Sequence, residues 1–111
     1  MPPKLSKKEQ SALRMFKAAL VEALGHQFIE ARLFGSKARG DSRRDSDIDV
    51  AVITSARDWR VSNIVYGIAT DILLDQGIAL SPKVLNEQQY RHLKRAKAAF
   101  AVNIAKEGIA L

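Results

Sequence analysis

Residues 34–50 read FGSKARGDSRRDSDIDV, in which a Gly-Ser pair is followed, after ten intervening residues, by Asp-Ile-Asp. Gly35 permits a tight turn that lets the backbone approach a phosphate group, and Ser36 adds a hydroxyl donor. Asp47 and Asp49 are two positions apart, so in a strand their side chains share a face. Two carboxylates at that separation repel each other unless a cation such as Mg²⁺ lies between them. The stretch therefore predicts a phosphate-binding turn beside a metal site, a combination typical of phosphoryl or nucleotidyl transfer.

Each half of this motif also has a purely structural interpretation. Most Gly-Ser pairs are plain turns, and an Asp-x-Asp pair at the start of a strand can cap a turn. The two halves at this spacing, with apolar flanks, arise by chance in roughly one in a few thousand chains of this size. We therefore expect the combination to be functional.

The composition is that of an ordinary globular protein. The chain has 111 residues, of which 47% are hydrophobic, and it has no cysteine. That length predicts one domain, residues 1–111, and the lack of cysteine excludes disulfides and thiolate metal sites. Neither a membrane-spanning apolar run nor a secretory signal is visible, so we expect a cytoplasmic protein without membrane association.

The net charge of +6 is distributed unevenly along the chain. Residues 1–44 hold ten Lys or Arg against four acids, and residues 91–111 hold five against one. Residues 45–90 reverse the balance, with three bases against seven acids. This pattern suits a polyanion at the rim and a cation at the centre, and it equally suits solvated helix faces rich in lysine. Nucleic-acid binding is disfavoured, because the aromatic residues on which bases stack are only 6% of the chain.

Apolar spacing and capping residues predict the order helix, strand, strand, helix, strand, helix. Ser6 and Glu9 form a capping box for the first helix, which Gly25 ends. Asp58 caps a long second helix, which Gly77 ends. The predicted strands are residues 28–34, 47–54 and 78–85, and residues 87–106 form one or two further helices. This order predicts a small α/β (α+β) fold, in which helices pack on a mixed sheet.

The sequence also makes specific predictions about edges and burial. Pro82 indicates that the third strand lies at an edge or contains a bulge. Trp59 is expected to cover the core or a partner, with the core favoured. Phe100 and Ile104 suit either core packing or a face for a homodimer or partner. The predicted apolar stripe of the second helix consists of Val61, Ile64, Val65, Ile68, Ile72 and Leu73.

Phe34-Gly35-Ser36, followed by Asp47-Ile48-Asp49-Val50, resembles the signature of the DNA polymerase beta-like nucleotidyltransferase superfamily. The fuller strings GSKARGD (35–41) and SDID (46–49) are similar to those of its minimal nucleotidyltransferase branch. The length fits as well, so the resemblance covers essentially the whole chain and implies the nucleotidyltransferase fold.

The resemblance implies roles for several residues of the motif. Gly35 and Ser36 would hold the phosphates of a nucleoside triphosphate. Neutralisation of the phosphates would fall to Lys37, Arg39, Arg43 and Arg44, of which Arg39 is the best candidate as part of the family string. A solvated surface position or a structural ion pair is the alternative for each base. The catalytic residues would be Asp47 and Asp49, as ligands of two Mg²⁺ ions. The implied reaction is Mg²⁺-dependent transfer of a nucleoside monophosphate, with AMP from ATP as the expected group, to a hydroxyl acceptor.

The resemblance also implies a partner protein. Small chains of this branch often pair with a helical protein called HEPN, as antitoxins that modify and silence it. The present chain has no Arg followed four to six residues later by His, which is the ribonuclease motif of those toxins. It would therefore be the transferase half of such a pair.

One position departs from the family pattern. The family commonly has a third carboxylate on the strand after the long helix, but residues 78–85 contain no acid, and Ser81 or a neighbour stands where it is expected. Two interpretations remain open. The chain binds nucleotide with weak or no transfer, as a regulator, or a partner or the substrate supplies the missing group.

Overall fold

The computed structural model describes residues 5–35, 47–56 and 58–111. We number the elements within these ranges in chain order. The helices are α1 (Lys7–Leu24), α2 (Trp59–Gln76), α3 (Glu87–Arg95) and α4 (Ala99–Glu107), with a single 3-10 turn at Gly25–Gln27. The strands are β1 (Phe28–Phe34), β2 (Ile48–Thr54), β3 (Leu80–Asn86) and β4 (Ile109–Ala110).

The strands form one mixed sheet in the order β3-β2-β1-β4. β2 pairs antiparallel with β1 and parallel with β3, and β4 pairs antiparallel with β1. The parallel pair needs a long crossover connection, which α2 provides. The predicted α+β fold with a mixed sheet is therefore confirmed, and β3 is the edge strand that Pro82 indicated.

The sequence signals at the helix ends act as predicted. The Ser6 side chain accepts from the Glu9 N–H while the Glu9 carboxylate accepts from the Ser6 N–H, at 3.0 Å each. Asp58 Oδ1 accepts from the N–H groups of Arg60 and Val61, which would otherwise lack partners in the first turn of α2. No helix of the described ranges is long and apolar enough to span a bilayer.

The sheet lies between two layers of helices, and each face has its own core. The first face packs on α1 and α2, and the second packs on α3 and α4. Alternation along the strands decides which residues go to which face. The first core includes Phe16, Leu20, Leu33, Val50, Val52 and Val65, and the second includes Phe34, Ala51, Ile53, Leu85, Tyr90 and Ile104.

The exposed side of α2 differs from the prediction. Trp59, which we expected in the core, is 68% exposed and lies beside the Arg60 guanidinium at 5.3 Å from its ring centroid. Ile64 and Leu73 of the predicted stripe are also exposed, whereas Ala69 is buried. The buried stripe is narrower than the sequence indicated, because apolar residues occur on more than one side of this helix and only one side meets the sheet.

The C-terminal segment contains a break that the sequence left open. Lys97 has a positive φ of 56° and separates α3 from α4, so residues 87–106 form two helices rather than one. Ile104 is fully buried, and Phe100 packs against the second core, so both belong to core packing. The sequence did not predict β4, since two residues are too few to show a period.

The depth of the first core can be tested with a matched pair of leucines. Leu20 of α1 is fully buried, and Leu74 of α2 is 77% exposed. We expect Leu20→Ala to lower the free energy of unfolding by about 2–5 kcal/mol, because it leaves a cavity. Leu74→Ala should change it by no more than about 0.5 kcal/mol. Urea denaturation measures both, and equal losses would contradict the assigned layers.

Candidate active site

The centre of the candidate site is the contact between Gly35 and Asp49. Gly35 follows β1 directly and has a φ of +74°, a conformation that L side chains rarely adopt. A Cβ atom built on Gly35 would overlap the Asp49 carboxylate Oδ2 and lie 3.2 Å from Cγ. Only glycine therefore allows the backbone to leave β1 so close to that carboxylate. The turn and the acid that the sequence placed in one motif are in contact in the fold.

The pairing of the strands fixes this contact. Phe34 of β1 is the antiparallel partner of Asp49 on β2, and Ser81 of β3 is its parallel partner. These three residues form one row across the sheet. The next row on the same face consists of Arg32, Ala51 and Lys83. Because Ala51 belongs to the second core, both rows face the side of α3 and α4.

Asp47 lies just before β2 and is exposed. The next residue, Ile48, sets its position. The Ile48 N–H donates to the Ala79 carbonyl at 3.0 Å and joins the start of β2 to the segment leading into β3. Asp47 also borders a cleft of about 250 Å³ between α2 and the start of β3. Tyr66, Leu73 and Pro82 contribute to its largely apolar lining. Asp47 is therefore reached from solvent beside an apolar wall of α2 and β3.

A second cavity, of about 220 Å³, lies between α1 and Leu111. None of the residues that the sequence analysis selected as site residues lines it. The cleft beside Asp47 is therefore the better candidate for part of the functional site, although the cavity at α1 is of similar size.

The described part of the predicted site supplies two carboxylates. Ser36, Lys37 and Arg39 lie outside the described residues. Within the described ranges, no three His, Cys, Asp or Glu side chains are grouped so that they could hold a metal ion. The hydroxyl of Ser81, next to Asp49 across the parallel pair, occupies the place where the family resemblance implied an acid. Of the predicted metal ligands, Asp47 and Asp49 both lie within the described ranges.

Contacts with α4 fix the end of β1, which leads into Gly35. The rings of Phe34 and Phe100 meet edge to face, with centroids 5.7 Å apart and planes at 79°. Arg32 Nη2 donates to the Gly108 carbonyl at 2.7 Å, which ties β1 to the end of α4. The sequence analysis missed both contacts. The two residues of each contact are more than 60 positions apart in the chain, and no local sequence pattern connects them.

Basic side chains also gather on one exposed face of α3. Arg91, His92 and Arg95, with Gln88, line a shallow polar depression, and Arg91 lies 3.8 Å from the Glu87 carboxylate. Burial raises the pKa of Tyr90, on the inner side of this helix. These bases lie on the same side of the sheet as Asp49, and they fit both a rim for a polyanion and a solvated helix face.

Comparison with known proteins identifies the family of this fold. Residues 22–111 match the family model described as Polymerase beta, Nucleotidyltransferase. A relative from Methanocaldococcus jannaschii, named "Putative protein adenylyltransferase", is 30% identical over 100 residues, which are 90% of this chain and 94% of the relative. The chain belongs to the polymerase beta nucleotidyltransferase family, and it is a nucleotidyltransferase.

Solved structures agree with this fold. One described as a "putative minimal nucleotidyltransferase" is 24% identical, has a TM-score of 0.57, and is matched over 96% of this chain and 97% of its own. A toxin–antitoxin crystallised with AMP-PNP is 19% identical and has a TM-score of 0.55, with 86% of this chain and 68% of the other covered. At these identities the likeness supports the fold alone.

Two glycine variants test the contact between Gly35 and Asp49. Gly35 and Gly77 have nearly the same φ, +74° and +71°, but a Cβ at Gly77 would meet no atom within 4 Å. We expect alanine at either position to lower the free energy of unfolding by about 1–2 kcal/mol, because of the left-handed backbone. Only Gly35→Ala should also abolish nucleotide transfer, since only there does the methyl group displace the Asp49 carboxylate. Stability from urea denaturation and release of pyrophosphate measure the two effects, and similar activities would contradict the assigned contact.

Proposed function

We propose that this protein transfers AMP from ATP to a hydroxyl group of a partner protein, in a Mg²⁺-dependent reaction at Asp47 and Asp49. The relative from Methanocaldococcus jannaschii supports protein adenylylation through its name. The toxin–antitoxin crystallised with AMP-PNP supports an adenine nucleotide as the substrate.

One observation carries the proposal: the glycine that opens the candidate phosphate turn is in contact with the candidate catalytic carboxylate. A nucleoside triphosphate needs its phosphates held at the point where the reacting group meets the acceptor. Backbone N–H groups of a glycine turn suit phosphate oxygens, and Asp49 lies directly against this turn. The phosphates would therefore be bound next to the carboxylate that takes part in the reaction.

The two carboxylates fit a hard cation. Mg²⁺ takes one or two carboxylates and completes its octahedron with water and substrate phosphate oxygens. Asp47 is exposed and Asp49 is half-buried at the same end of β2, so both can reach a ligand from solvent. When bound, Mg²⁺ would neutralise charge on the phosphates and on the leaving pyrophosphate. A second ion would take most of its ligands from the nucleotide and water, because position 81 is a serine.

The reaction follows from the groups that surround the site. The acceptor oxygen forms a bond to the α-phosphorus, the bond from that phosphorus to the bridging oxygen breaks, and pyrophosphate leaves. Ser81 is not a base at neutral pH, so the proton of the acceptor hydroxyl passes to the partner, to the substrate or to water. General-base assistance is typically worth about 10²–10⁴-fold, so a serine at this position slows transfer without preventing it.

A HEPN-type helical protein is the proposed acceptor partner, and this chain is then the antitoxin of the pair. The similarity in fold to a chain of a toxin–antitoxin complex supports such a pairing. The apolar cleft beside Asp47 lies on the α2 side of the sheet, where a partner side chain would contact Asp47. The partner would contribute the hydroxyl, and this chain would contribute the nucleotide.

Labelled nucleotides test the proposal. The protein is incubated with Mg²⁺, the product of the neighbouring gene, and ATP labelled at either the α- or the γ-phosphate. We expect the α-label alone to appear on the partner protein, since nucleotidyl transfer retains the α-phosphate and releases the other two. Gel autoradiography and mass spectrometry of the intact partner measure the product.

Matched variants assign the transfer to the site. Asp47→Asn and Asp49→Asn should each lower the rate by about 10²–10³-fold, as removal of one electrostatic group from an active site does. Asp75→Asn, an exposed position at the end of α2, should leave the rate unchanged. Absence of label with the wild-type chain, or equal label with Asp49→Asn, would contradict the proposed function.

A second candidate function follows from Ser81. A site with two carboxylates and a hydroxyl can bind Mg²⁺ and ATP and yet transfer poorly, which would make the chain a nucleotide-dependent regulator. Calorimetry that detects tight Mg²⁺-ATP binding, together with no release of pyrophosphate in the presence of the partner, would favour this function over transfer.

A further inference from the structure

The row beside Asp49 contains a lysine that the predicted site did not include. Lys83 of β3 is paired with Ala51 of β2, one row along from the pair of Asp49 with Ser81. The pairing of β2 with β3 has no register shift, so Asp49, Ser81 and Lys83 share the second face of the sheet. A strand spacing of about 4.8 Å and a two-residue rise of about 6.6 Å place the Cα atoms of Asp49 and Lys83 about 8 Å apart, which is within reach of a long side chain.

Lys83 is available for a ligand. Its side chain is exposed, and among the described residues it makes no hydrogen bond or ion pair. Arg32, the other basic residue of this row, is held by the Gly108 carbonyl at 2.7 Å and is partly buried. Ala51 separates the two and has a side chain too small to block Lys83.

The serine at position 81 affects the charge around Lys83. Residues two apart on a strand lie on the same face, so an acid at position 81 would be the nearest ion-pair partner of Lys83 on its own strand. With a serine there, β3 contains no acid to pair with the ammonium group. A nucleoside triphosphate bound at Gly35 and Asp49 would bring several negative oxygens into this space, and an ammonium group is a strong partner for a phosphate oxygen.

We propose that Lys83 is a nucleotide-binding residue, whose ammonium group contacts the triphosphate beside Asp49. The proposal rests on the proposed function, since it assumes that a nucleotide occupies this face. A site with two carboxylates binds less positive charge as metal ions than a site with three. Lys83 would then supply part of the positive charge that the triphosphate needs.

Binding of α,β-methylene ATP, whose α–β linkage resists transfer, tests the role of Lys83 without turnover. The dissociation constant is measured by calorimetry with excess Mg²⁺ for the wild type, Lys83→Met and Lys83→Arg. Methionine keeps an unbranched stem and removes the charge, whereas arginine keeps the charge. We expect Lys83→Met to weaken binding by about tenfold or more, the loss of one charge-assisted hydrogen bond, and Lys83→Arg to remain within about threefold of wild type.

Arg60→Met provides the matched control. Arg60 is an exposed base in the first turn of α2, which begins beyond the other end of β2, and its loss changes the net charge by the same amount. It should leave the affinity within about threefold of wild type. A similar loss in Arg60→Met and Lys83→Met would overturn the proposal, because the effect would then come from net charge.

The remaining outcomes separate the two proposals. Equal affinities of the wild type and Lys83→Met would overturn the role of Lys83 and leave the proposed function standing. No binding of the Mg²⁺-nucleotide by the wild type would overturn the proposed function itself. Unchanged melting temperatures in the two Lys83 variants, as expected for an exposed side chain, would show that folding does not cause the loss.

Discussion

The close approach of Gly35 to Asp49 is the constraint on which the rest of the site depends. It requires that β1 end at Phe34, that β2 run antiparallel with Asp49 opposite Phe34, and that the residue after Phe34 lack a side chain. A shift of one residue in this register would turn Asp49 to the opposite face. The two cores prevent such a shift, because Val50 and Val52 fit only the layer of α1 and α2, whereas Ala51 and Ile53 fit only the other layer.

Much of this architecture could be predicted from local sequence. β1 has the predicted bounds, β2 begins one residue later than expected, and the Ser6 and Asp58 caps begin α1 and α2 where predicted. These elements are set by neighbours within a few positions, and period and capping report such neighbours directly. The third strand is less well predicted. It runs over Leu80–Asn86 rather than 78–85, because its bounds follow from pairing with β2, and pairing is a long-range property.

The parts that the sequence could not give are contacts between distant segments. Trp59 was assigned to the core by its apolar character, but its side chain in the first turn of α2 is 68% exposed. Two contacts depend on where α4 packs on the sheet: the hydrogen bond from Arg32 to the Gly108 carbonyl and the packing of Phe100 on Phe34. Lys83 was within reach of sequence reasoning, since period two places it on the face of Ser81.

The edge strand has a consequence for how this chain meets other proteins. Within the described sheet, β3 is bonded on one side only, to β2. Exposed edges invite the addition of a foreign strand, and proline and inward or edge lysines are the usual protections against it. Pro82 has no backbone N–H to offer, and Lys83 would bring an unbalanced charge into any new pair. The two residues beside the site thus also oppose self-association through this edge, and a partner would bind there through side chains rather than by extending the sheet.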